Sequence, residues 1–93
     1  MIKISKDEYS PTAKRANFSM QFANGYTVSL AMGDGIYSNG NMATGFTSVE
    51  VGVWDKNGDW VPLTEGNDVR GWVTADGVLD IMNKVAAMQA IDS

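Results

Sequence analysis

Asp55-Lys56-Asn57-Gly58-Asp59 has the spacing of the first half of a calcium loop, in which alternate residues present oxygen ligands. The rest of the loop is missing. Its sixth position, glycine for a sharp turn, is Trp60, and its twelfth, a bidentate glutamate, is Gly66. The flanking residues also read as strands, so the five residues are read as a hairpin turn. Gly33-Asp34-Gly35 opens a glycine-rich stretch running to Gly45, whose backbone N–H groups could cradle a phosphate. The dinucleotide pattern needs a third glycine where Ser38 stands, no Lys-Ser or Lys-Thr pair follows, and a strand comes next instead of a helix. A connection is the better reading. Tyr37, Ile36 and Met42 nonetheless put apolar side chains on this segment, and long loops often carry function.

Histidine and cysteine are both absent, which removes the commonest general base, thiolate nucleophiles, disulfides and most metal ligands. Catalysis would rest on carboxylates, Tyr, Ser, Thr or Lys, and none of these is motif-spaced. The chain is therefore read as no enzyme, with no catalytic residue, no cofactor and no metal site.

Charge narrows the partners. Residues 1–15 hold four basic and two acidic groups, and residues 16–93 hold three and nine, leaving +2 on the first segment and −6 on the second. An acidic body repels phosphate backbones, so no nucleic acid is expected, and nine carboxylates are too sparse for a mimic of DNA. No apolar run approaches the roughly 20 residues of a membrane span. Met1 to Lys6 leads into Asp7 and Glu8 without an apolar core, so a secretory signal is not expected and a cytoplasmic location is.

The tryptophans are the most informative residues, and two hairpins position them. Asn17–Phe22, Ala23-Asn24-Gly25 and Tyr26–Met32 form the first. Asn-Gly usually marks a two-residue turn. That register would pair Phe22 with Thr27 and set the two apolar stripes on opposite faces. A three-residue loop with Gly25 left-handed pairs Phe22 with Tyr26, Met20 with Val28 and Phe18 with Leu30, and it is preferred because one face must be buried. The second hairpin, Thr47–Asp55 and Asp59–Leu63 around Lys56-Asn57-Gly58, resolves the same way. Val53 then pairs with Val61, Val51 with Leu63, and Trp54 with Trp60 on the opposite face. Pro62 lacks an N–H, so its strand is short or at an edge.

A last strand spans Asn67 to Val73, with Val69 and Val73 on one face and Arg70 and Trp72 on the other. Ile2 and Ile4 alternate with Lys3 and Ser5, suggesting a short first strand, while residues 7–16, including Ser10-Pro11, read as turn and linker. The C-terminal helix is placed at 74–91: Thr74 caps it, Asp76 suits its positive end, and Val78, Ile81, Met82, Val85 and Met88 recur on one side. These elements make one domain over 1–93, its first fifteen residues, 1–15, forming a basic N-terminal arm. The fold class is α+β: an antiparallel sheet of about five strands, two hairpins and a last strand, packed through its valine face on the one helix.

Three stretches carry a resemblance: Phe22–Ser29, Val49–Asp55 with Gly58-Asp59-Trp60, and Val69–Thr74 with Asp76 and Val78. Over roughly residues 17–86 the chain resembles small uncharacterised proteins of tailed bacteriophages, marine ones included. The resemblance brings no catalytic residues. It implies expression in a host cytoplasm and a role in takeover or defence evasion, exercised by binding a host protein.

The expected function is a non-enzymatic protein-binding module using Trp54, Trp60, Trp72 and Arg70, since tryptophan and arginine are enriched at binding hot spots. The partner would be a host protein or a second copy in a homodimer. The alternative for this face is a second small core under the 33–45 loop or the N-terminal segment. The alternative functions are a small-ligand or nucleotide binder using Asp34 and Tyr37 of loop 33–45, and a structural, self-assembling protein.

Overall fold

Period-two alternation of apolar residues makes this chain mostly sheet. In the computed structural model, which describes residues 2–8, 14–41, 43–63 and 69–90, strand β1 (Ile2–Glu8) pairs antiparallel with β2 (Lys14–Gln21), and β2 with β3 (Thr27–Gly33). After β4 (Asn39–Asn41), the long strand β5 (Gly45–Trp54) takes β3 on one edge and β6 (Val69–Val73) on the other. β4 pairs with the opening residues of β5. Helix α1 (Ala75–Ala86) follows and packs on β5 and β6. This is an α+β fold, an antiparallel sheet closed by one C-terminal helix.

Both hairpins adopt the register that buries one face. Phe18 lies opposite Leu30 and Met20 opposite Val28. The backbone N–H of Phe22 reaches the Tyr26 carbonyl at 2.8 Å, and that of Gly25 reaches the Phe22 carbonyl at 2.9 Å, closing a three-residue loop. In the second hairpin Trp54 lies opposite Trp60, and the Val61 N–H donates to the Val53 carbonyl at 2.8 Å. Gly25 and Gly58 close these loops at φ of +91° and +85°, conformations that disfavour any side chain.

The valine stripes of β3 and β5 meet the helix. Val28, Val51 and Val53 are fully buried, and Tyr26, Val73, Ile81 and Val85 complete the core. Val78, Met82 and Met88 pack around it half-buried. Thr74 caps the helix, its Oγ1 accepting from the Gly77 N–H at 3.4 Å.

Four expectations need correction. Residues 2–8 and 14–15 are not an arm or linker: β2 extends back to Lys14, far enough to pair Glu8 with Lys14 and Asp7 with Arg15. Ser10-Pro11 lies outside the described residues. The return arm of the second hairpin is a single bridge, not a strand, because Pro62 cannot donate and β6 already holds the edge of β5 where Leu63 would have met Val51. The helix ends at Ala86 instead of 91, with the last turn tightened and its carbonyls taken by Asn24; Ile91 lies outside the described residues.

The fourth correction concerns faces. In β6, Val69 lies opposite Gly52 and Arg70 opposite Val51, yet Val73 lies opposite Val49. One extra residue has entered, so Gly71 and Trp72 together face Glu50, and Trp72 sits at φ +51°. Strict alternation fails across such a bulge. Arg70 therefore shares the helix side with Val51, beside Asp80, Ile81 and Lys84, and Val69 takes its place on the outer face. Residues 67 and 68 of the expected strand lie outside the described residues.

Candidate functional site

The outer face of the sheet carries two aromatic pairs, each resting on a glycine. A Cβ on Gly52 would lie 2.7 Å from Cζ3 of Trp60, so the glycine gives that indole room to rest against β5. Trp54 meets Trp60 edge-on, with centroids 5.4 Å apart and planes at 77°, a favourable arrangement for two quadrupoles. Trp54 is half-buried against the sheet, opposite the buried Thr27, whereas Trp60 remains 49% exposed.

The second pair is built by the bulge. A Cβ on Gly71 would come within 2.6 Å of the Tyr37 Cβ, so the glycine admits the 33–45 loop to the sheet. There the Trp72 N–H donates to the Tyr37 carbonyl at 2.9 Å, and the Tyr37 N–H donates to Glu50 Oε2 at 3.4 Å. The two rings stack with centroids 4.8 Å apart at 31°. Each residue is 57% exposed. A tryptophan in the left-handed region costs about 1–2 kcal/mol. The fold sustains that cost while leaving the side chain largely in water.

Loop 33–45 is itself structured. Ser38 Oγ accepts from the Gly33 N–H at 3.1 Å, Arg15 Nε donates to the Asp34 carbonyl at 2.7 Å, and residues 39–48 form a β4–β5 hairpin. Its glycines have a packing role: a Cβ on Gly40 would collide with the backbone of Gly45. Met42 lies outside the described residues. The loop thus reaches the outer face at Gly71 and Trp72, and both Trp60 and Trp72 remain exposed there.

Two depressions, of about 250 and 240 Å³, lie on the helix side, the first lined by Leu30, Phe46, Val49 and Val78, the second by Leu63, Arg70 and Ile81. Neither includes Asp34 or Tyr37. Asp55, the first residue of the half calcium loop, accepts from the Asn57 and Asp59 N–H groups through Oδ1 at 2.8 and 3.1 Å, as a turn residue does. No three His, Cys, Asp or Glu residues cluster as metal ligands among the described residues, and no helix there is long and apolar enough to cross a membrane.

Of the four residues expected to act together, the structure keeps Trp54, Trp60 and Trp72 on the outer side and removes Arg70 to the helix side. Tyr37 joins them, its N–H donating to Glu50 on the same face. Gly71 was the available signal, since a glycine inside a strand often marks a bulge or a close approach. No family model, curated protein or solved structure matches this chain.

Proposed function

We propose that this chain is a non-enzymatic protein-binding module, encoded by a bacteriophage and acting on a host protein in the bacterial cytoplasm. The observation that carries the binding role is the Tyr37–Trp72 stack. Its two rings are held together by a backbone hydrogen bond and a strained tryptophan, yet stand more than half exposed. Strain of this kind is found at ligand clamps, and Tyr and Trp dominate binding hot spots because they bury large area with few rotatable bonds. Trp60 extends the same side. The phage origin rests on the resemblance of the three stretches alone.

The small-ligand reading through Asp34 and Tyr37 has less support, because binding pockets of about 300 Å³ or more are concave and enclosing, and Tyr37 stands on an open face. The test is capture from bacterial lysate by wild type and by the double variant Tyr37→Ala/Trp72→Ala, with urea midpoints measured alongside. A host protein retained by wild type and lost by the folded double variant is expected. Equal capture by both would overturn the reading.

A further inference from the structure

We infer that the Tyr37–Trp72 stack recognises a cation, so that the partner presents an arginine- or lysine-bearing segment to it. This rests on the reading of that surface as a protein-binding site and names what the site selects. Aromatic faces carry negative potential, and a guanidinium or ammonium within about 6 Å of a ring centroid is attracted to it, most strongly over tryptophan. Two stacked rings, each 57% exposed, offer such faces already ordered, so little side-chain entropy is lost on binding.

The charges around the stack favour the same ligand. The Glu50 carboxylate sits at its base, 3.4 Å from the Tyr37 N–H, and exposed Asp34 lies three residues before Tyr37 on the same loop. Arg15 is the opposing charge: its Nε donates to the Asp34 carbonyl, and its guanidinium lies against Gly35, where a Cβ would be 2.9 Å from Nη2. It is thereby tied to the foot of the loop. Over longer range, the whole chain carries a formal charge of −4, which draws cationic segments and repels anionic ones. A purely apolar partner would bury the Glu50 carboxylate at the base of the stack, and a nucleic acid would be repelled.

Calorimetric titration with an oligo-arginine peptide, beside oligo-serine and oligo-glutamate peptides of equal length, tests this. Wild type is expected to bind the arginine peptide alone. Tyr37→Ala and Trp72→Ala, which leave net charge unchanged, should each weaken binding by about tenfold. Trp72→Phe should keep most of it, and Glu50→Gln should weaken it by about threefold. Absence of arginine-peptide binding, or binding that both alanine variants retain, would overturn the inference, the latter showing diffuse charge attraction. If lysate capture still depends on Trp72 in that event, the protein-binding reading stands and only its cationic partner falls.

Discussion

Asn24, in the first hairpin loop, donates its side-chain amide to the carbonyls of Val85 and Met88, at 2.8 and 2.9 Å, and so closes the C-terminus of α1 from 61 residues away. The same side chain accepts the Tyr26 N–H at 3.1 Å through Oδ1. One amide thus holds its own turn and fastens the hairpin to the helix. Carbonyls at a helix end lack partners within the helix; Asn24 shares that of Val85 with the Met88 N–H and takes that of Met88.

Replacing Asn24 is therefore expected to cost more than an ordinary loop substitution. Asn24→Ala removes the donor, leaving the part-buried Met88 carbonyl without it and the Val85 carbonyl with the Met88 N–H alone, for a loss of about 1–3 kcal/mol. Asn24→Asp keeps the acceptor for Tyr26 but sets a negative charge against the negative end of the helix, and should destabilise at least as much as alanine. Urea denaturation gives both values. A midpoint unchanged in both variants would mean that the loop and helix are held by apolar packing alone.

The three tryptophans should separate by stability. Trp54 lies half-buried on the sheet opposite Thr27, so Trp54→Ala is expected to cost about 3 kcal/mol or more. Trp60→Ala, which leaves Gly52 open to water, should cost less than half of that. Trp72→Gly removes ring contact with Tyr37 but also relieves the φ of +51°, so the two effects offset to within about 1 kcal/mol. The measurement is again the urea midpoint, with sedimentation to detect self-association. A loss at Trp72 as large as at Trp54 would make the outer face a second core, and the binding proposal would fail with it.

Calcium should leave the fold unchanged. Asp55 Oδ1 is occupied by two backbone N–H groups of its own turn, and the glycine and glutamate of a full loop are replaced by Trp60 and Gly66. A thermal melt in millimolar calcium is expected to coincide with one in chelator. A rise of several degrees, reversed by chelator, would show that the turn binds the ion.

Phe22 opposite Tyr26 and Trp54 opposite Trp60 are legible in the sequence itself. Hairpin register is a local choice, because a slip of one residue moves an entire apolar stripe to the wrong face. The helix was legible for a similar reason: Val78, Ile81, Val85 and Met88 fit one face of a 3.6-residue repeat, and Thr74 marks its start.

What the chain alone determined is the set of elements whose signals lie within about ten residues: two hairpins, their faces, a helix and its cap. Arg70 shows where that reach ends. Its side depends on the extra residue accommodated between Arg70 and Val73, and a bulge there exists only because β5 holds Val73 against Val49 while Tyr37 enters over Gly71. Likewise nothing near Asn24 points to Val85, and nothing near Tyr37 points to Trp72. These partners are separated by dozens of residues, and packing, not local propensity, selects among the many contacts each could have made. The aromatic stack proposed as the binding site belongs to that second class, because it forms only where loop, bulge and sheet are already assembled.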